Sequence, residues 1–375
     1  MKKTIYESES TPLRDGYRMP GEFEPQEQIW MLWPHRADTW HNGAKPAQKI
    51  WTDVITAISE FEPVTVGVKP ADYQAARHKL SHLENVHVVE MESNDAWMRD
   101  MGPIFLVNDE GDLRATHFQF NAWGGLYDGL YFPWDQDELV GVKVTDLTDV
   151  VRYRPDNFVL EGGSFSVDGQ GTVLTTEMCL LSPGRNPHYT KDEIEEHLKE
   201  YLGCTKVIWL KDGIDPEGTN GHVDGVAGFV GPGEVVCIWA DDEDNPYYQV
   251  AHEAYEQLIG ETDALGNPLK VHKIPVGAQP LQMTAEDAAT LDIVEGTKDF
   301  GGTEPMYPEY LNFLMVNGGV IVPQYGDPND EIVLERYRAI FPDRKVVGVR
   351  TEEILYGGGN IHCITQQQPA SRKEH

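Results

Sequence analysis

The sequence predicts an α/β chain built as a closed, pseudo-fivefold ring of ββαβ-type units. Three observations carry that expectation. Hairpins recur with starts near residues 100, 161 and 222, a spacing of about sixty residues that marks a supersecondary repeat. Each of several helical segments is followed by a short apolar strand. The glycine-rich stretch at 357–366 and the apolar run Gln28–Trp33 are positioned to pair across the chain ends. A plain α/β sandwich is the competing architecture, and periodicity alone leaves it open.

Four hairpins are read from turn residues between apolar runs. They are 101–107 with 113–120 around Asn108-Asp109-Glu110-Gly111, 161–167 with 172–176 around Asp168–Gly171, 222–230 with 234–240 around Gly231–Gly233, and 310–316 with 320–323 around Asn317–Gly319. Helices are expected where apolar residues fall at helical spacing, as for Ile50, Trp51, Val54, Ile55 and Ile58 within 47–61. The segments 191–202, 246–259 and 330–341 read alike. The strands after them are 64–68, 206–210, 270–276 and 345–349. One catalytic domain is expected over 1–375, with 1–15 and 368–375 as flexible tails.

Composition narrows the function. At 40% hydrophobic and 25% charged the chain is globular, and no apolar run is long enough to span a bilayer. Two lysines near the start have no apolar stretch behind them, so no secretory signal is read. The four cysteines, at 179, 204, 237 and 363, lack metal-ligand spacing and a disulfide framework, which predicts reduced thiols in a cytoplasm. Cys179, Cys204 and Cys237 lie in or beside apolar runs and read as core. A net charge of −32 makes nucleic acid a poor partner and favours small cations.

Cys363 is different. It follows Gly357-Gly358-Gly359-Asn360-Ile361-His362, and glycine permits close approach of backbone and ligand. A thiolate there could serve as a nucleophile; the alternative is a buried structural thiol. If hairpin starts face a common axis, Asp100, Glu161, His222 and Asp224 meet Cys363. His222 and Asp224, two apart on an expected strand, would share a face. His362 would project from the opposite face to Cys363 and be a poor base for it. Arg99 is expected to hold Asp100 in a salt bridge.

A thiol, a histidine and several carboxylates suit a planar cation, because a guanidinium presents a fixed fork of donors to paired carboxylates. The thiolate would attack the guanidinium carbon, ammonia would leave with a proton from histidine, and water would cleave the adduct.

These residues resemble the agmatine deiminase branch of the guanidine-modifying, arginine deiminase-like superfamily. The resemblance spans nearly the whole chain, through 16–26, 94–103, 120–125, 161–176, 219–224 and 356–367. It implies a five-bladed α/β propeller with no cofactor and no metal, acting on agmatine as a small-molecule substrate with neither nucleic acid nor membrane as partner, and as a homo-oligomer. Residue by residue, it implies Cys363 as nucleophile and His222 as acid/base. Asp100 and Asp224 would grip the guanidinium, and Glu161 would orient His222 or touch substrate. Trp97, Trp123, Gly358 and Gly359 would line the pocket. Competing activities are an arginine or peptidyl-arginine deiminase, a metal-dependent guanidine hydrolase releasing urea, and a non-enzymatic ring-shaped binding module.

Overall fold

In the computed structural model, which describes residues 4–215, 217–297 and 304–371, the strands gather into five separate sheets. Each contains the same kernel: an antiparallel pair whose inner strand also runs parallel to a third. A parallel pair needs a long crossover, usually a helix, and the sequence supplies one each time. Phe165–Val167 and Thr172–Thr176 form a hairpin, Lys191–Leu202 crosses over, and Lys206–Leu210 lies parallel. The next unit is Ala227–Gly231, Glu234–Trp239, helix Tyr248–Leu258 and Lys270–Pro275. Then come Leu314–Val316, Gly319–Gln324, helix Asp330–Ile340 and Lys345–Arg350. Ile104–Asn108, Leu113–Thr116, helix Val140–Leu147 and Val151–Arg154 complete a fourth.

The fifth unit joins the two ends of the chain. Thr365–Pro369 pairs antiparallel with Gln26–Leu32, which lies parallel to Val64–Val68 after helix Lys45–Ser59. The ring therefore closes as expected. Its inner strands are buried on both faces: every residue of Val64–Val68 and of Gly319–Gln324 is buried, as sheets covered by helices require. Helix Lys45–Ser59 turns Ile50, Trp51, Val54, Ile55 and Ile58 inward, the face read from its spacing. Lys191–Leu202 starts with a Thr190–Glu193 capping box and ends at Gly203 in the left-handed region, so its length is set locally.

Three expectations are corrected. His222 and Asp224 do not lie on a strand: Val223–Gly225 is a single tight 3-10 turn, and the strand begins at Ala227. Residues 361–364 likewise turn, with Thr365 Oγ1 donating to the Ile361 carbonyl at 2.8 Å, and the strand starts at Thr365. Short helical turns also stand at Met98–Met101 and Gly162–Ser164. Polar residues directed inward need backbone that leaves the sheet, so alternation fails at the unit starts. The tails are also shorter than expected. Thr4–Tyr6 pairs parallel with Val151–Arg154, Thr11 hydrogen-bonds Glu200, and Gln368 and Pro369 belong to the closing strand. Residues 1–3 and 372–375 lie outside the described residues.

Trp51 is fully buried and its indole donates to the Leu32 carbonyl at 2.8 Å, tying helix to closing sheet. Trp51→Ala should lower stability by about 3–5 kcal/mol, read as a shift of the urea midpoint at unchanged slope.

Candidate active site

The turns that interrupt the strands carry the polar residues to one place. Gly163 shows how tightly they converge. A β-carbon added there would lie 2.6 Å from His222 Nδ1, 2.9 Å from Asp224 Oδ2 and 3.1 Å from Asp100 Oδ1. One added at Gly359 would lie 3.1 Å from Cys363 Sγ and 2.6 Å from the Trp97 ring. The expected set of Cys363, His222, Asp100, Asp224 and Glu161 is thus assembled, and four of the five are clearly buried in the sense that decides chemistry: Asp100, Glu161, His222 and Cys363 are each under a tenth exposed.

Asp100 is aimed by two donors, the Gly163 amide to Oδ1 at 2.9 Å and the Trp123 indole to Oδ2 at 2.8 Å. Trp123 sits at φ 64°, Gly358 at φ 98°, and both line the cavity over Cys363. Asp224 accepts from His362 Nδ1 at 3.0 Å and from Asn312 Nδ2 at 3.3 Å, and its Oδ2 is 3.7 Å from Cys363 Sγ. Asn312 also accepts the Cys363 amide at 3.0 Å, so one side chain joins the thiol-bearing residue and the carboxylate.

Arg99 does not hold Asp100. It pairs with Glu22 at 3.2 Å and donates to Gln367 Oε1 at 2.8 Å, because its turn directs it away from the cavity. His362 bridges Glu22, at 2.9 Å, and Asp224. The expectation that His362 points away from the site fails with the strand assignment behind it. Glu161 lies 3.7 Å from His222 Nε2, and its other oxygen is 2.7 Å from Arg185 Nε. Arg185 also donates to the carbonyls of Thr219, at 2.7 Å, and Trp123.

Glu22, Arg185, Asn312 and the inward role of His362 were not reached from sequence. Glu22 lies in the 16–26 motif, a usable signal; Asn312 is hidden in a run read as strand, and Arg185 in an unassigned loop.

The electrostatics follow from this packing. Burial pushes the Cys363 thiol well above its usual range, and Asp224 and Asp100 push it further. Burial opposes charge on His222, but Asp100 outweighs it, with help from Cys179 and Glu161, and the ring is held well above ordinary histidine. Burial raises Asp100 despite His222, with Asp224 and Glu161 adding repulsion. Burial alone would raise Asp224 too, but His362 brings it below the usual carboxylate range. Glu22 is held at about 2, since Arg99 and His362 outweigh its burial.

The cavity above Cys363 has a volume of about 620 Å³. Trp97 and Trp123 wall it, their ring centroids 6.4 Å apart in an edge-to-face contact. Every charged residue lining it is a carboxylate: Asp95, Asp100, Asp215, Glu217 and Glu304. Among the described residues, neither lysine nor arginine lines it.

Residues 18–369 match the family model of Porphyromonas-type peptidyl-arginine deiminases. The chain belongs to this family. Within it, the agmatine deiminase of Pseudomonas aeruginosa (strain LESB58) is 49% identical over 364 residues, covering 97% of this chain and 98% of that one. The solved agmatine deiminase of Enterococcus faecalis superposes with a TM-score of 0.94 at 54% identity, covering 97% and 98% of the two chains. The C. jejuni agmatine deiminase, solved with substrate bound, gives a TM-score of 0.80 at 27% identity, over 95% and 97%. The five-bladed α/β propeller is therefore the family's architecture as well as this chain's.

Gly163→Ala should keep the far-ultraviolet dichroism while lowering kcat/KM by about 10² or more, because its methyl would occupy space between three functional groups. Glu22→Gln tests the ion cluster through stability. A carboxyl lowered from 4.5 to about 2 stabilises the fold above the unfolded value and loses that contribution as pH falls through the folded one. The variant should be about 3 kcal/mol less stable at pH 7, with the gap in urea unfolding closing as the pH approaches 2.

Proposed function

We propose that the chain hydrolyses agmatine to N-carbamoylputrescine and ammonia through a covalent amidino-cysteine. The observation that supports this most strongly is a buried thiol at the floor of a cavity whose charged lining is wholly acidic. Agmatine is a dication with no carboxylate. Asp100 and Asp224 offer paired acceptors to its guanidinium, and the acidic mouth suits its ammonium. The Trp97–Trp123 walls suit the methylene chain between them.

In this reading, dication binding compensates the carboxylates that disfavour the thiolate, and the thiol proton passes to solvent, where it ends on the released ammonia. Cys363 Sγ bonds to the guanidinium carbon, giving a neutral tetrahedral adduct. His222, protonated beside Asp100 and Glu161, gives its proton to an unsubstituted nitrogen, which leaves as ammonia. Neutral His222 then takes a proton from water as the oxygen bonds to carbon. The C–S bond breaks with its electrons going to sulfur, the hydroxyl proton passes to that sulfur as the carbonyl forms, and Cys363 returns as the thiol. Glu161 orients His222 and Arg185 holds Glu161.

An arginine substrate would bring a carboxylate into a cavity lined by acids. Leaving it without a cationic partner would cost several kcal/mol, so kcat/KM should favour agmatine by about a thousandfold or more. A metal-dependent hydrolase fits less well. Glu161, Cys179 and His222 do offer atoms within 4.8 Å of one another, but Glu161 already faces Arg185. Ammonia as product, and indifference to chelators, separate a deiminase from a urea-releasing hydrolase. An assembly of identical chains in a cytoplasm belongs to the same proposal; among the described residues no helix is long and apolar enough to cross a membrane.

Cys363→Ser should bind agmatine and fold normally yet release no ammonia, since an alkoxide is far harder to form than a thiolate. Comparable turnover of arginine, or ammonia from the serine variant, would overturn this reading.

A further inference from the structure

Asp95 lines the cavity over Cys363, yet its oxygens are already occupied. Oδ1 accepts the Trp40 indole and the Ala96 amide, each at 2.9 Å. Oδ2 accepts the Trp97 indole at 3.1 Å and the Thr39 hydroxyl at 3.2 Å. A buried carboxylate satisfied in this way holds its surroundings in place rather than waiting for a cation. Its backbone is fixed as well. The Asn94 and Asp95 amides donate to Asp137 Oδ1 at 2.7 and 3.2 Å.

The two indoles held by Asp95 are neighbours, with ring centroids 5.2 Å apart. Together they form a bed for the glycine run that leads to Cys363. A β-carbon added at Gly357 would collide with the Trp40 ring, and one added at Gly359 with the Trp97 ring. Only glycine permits so close an approach. The added carbon at Gly359 would also lie 3.1 Å from Cys363 Sγ, so indole, glycine and sulfur form one continuous contact. Trp97 reaches Asp100 through its backbone. Its carbonyl accepts the Asp100 and Met101 amides at 3.1 Å, and the Arg99 amide donates to the Cys363 carbonyl at 3.1 Å. Trp97 therefore touches both the segment that carries the thiol and the turn that carries Asp100.

We propose that Asp95 is a positioning residue of the reaction: by holding the Trp40 and Trp97 indoles it fixes the bed under residues 357–359, and through it the place of the Cys363 thiol relative to Asp100. This rests on the deiminase reading. Asp95 acts through the two rings rather than on the substrate. Its effect therefore belongs chiefly to kcat, because a misplaced thiol binds substrate without reaching the guanidinium carbon.

The test separates the bonds Asp95 makes from the charge it carries. Asp95→Asn keeps the shape but replaces one acceptor by a donor, so one indole loses its partner. Trp40→Phe removes an indole N–H and leaves the carboxylate with its charge. A displacement of about 1 Å can cost on the order of 10² in rate. Expected are a fall in kcat for agmatine of about 10² in Asp95→Asn and about tenfold in Trp40→Phe, with KM changing less than kcat in both. The double variant should be more active than Asp95→Asn alone, because the orphaned indole donor is gone. A raised KM at unchanged kcat in Asp95→Asn would overturn the proposal, since Asp95 would then serve the substrate as a charge. So would wild-type kcat in folded Trp40→Phe, or a double variant no better than Asp95→Asn. Lowered stability with kcat and KM unchanged in both single variants would overturn it too. Failure of the underlying reading looks different: wild-type enzyme would then form no ammonia from agmatine at all.

Discussion

The structure depends on negative charge gathered around a buried thiol. Asp100 and Asp224 both disfavour the Cys363 thiolate, and Asp100 favours the charged form of His222. Without ligand, the thiol is therefore held protonated and the imidazole ready to donate. In the proposed reaction, a guanidinium between the two carboxylates would supply the missing positive charge and favour the thiolate only when there is something for it to attack. On that proposal catalysis and binding draw on the same compensation, in a site where low dielectric makes each charge count.

Such a site survives folding because its carboxylates are held from behind. Arg99 pairs with Glu22, Glu22 with His362, and His362 with Asp224. Arg185 faces Glu161 at a position where neither side chain is exposed. Buried ions without partners are strongly destabilising, so these cations permit the acids to be buried. They stand outside the cavity, and its lining stays acidic. The propeller makes this possible because five units turn their irregular starts toward one axis, and the closing pair Thr365–Pro369 with Gln26–Leu32 brings Cys363 into the ring.

Much of this was legible in the amino-acid order. The strand Lys206–Leu210 and helix Lys191–Leu202 follow from apolar spacing, and four hairpins from their turn residues, since these are local effects. The five central polar residues were legible because the repeat placed them at equivalent positions. Their partners were not. Arg99 beside Asp100 looks like an ion pair in sequence, yet a four-residue turn sends the two side chains to different surroundings. His362 was misread for a similar reason: alternation is valid on a strand and meaningless in a turn. Glu22, Arg185 and Asn312 act across separations that only the closed ring defines.

The most direct test is the ionisation of Cys363 itself, followed by the pH dependence of its alkylation by iodoacetamide, with Cys363→Ser as blank. Wild type should titrate well above an ordinary thiol, and Asp100→Asn and Asp224→Asn should each bring the midpoint down, as should guanidinium ion added to wild type. A midpoint near that of a free thiol, unmoved by either substitution or by guanidinium, would contradict the view that buried carboxylates hold the nucleophile in check until a cation arrives.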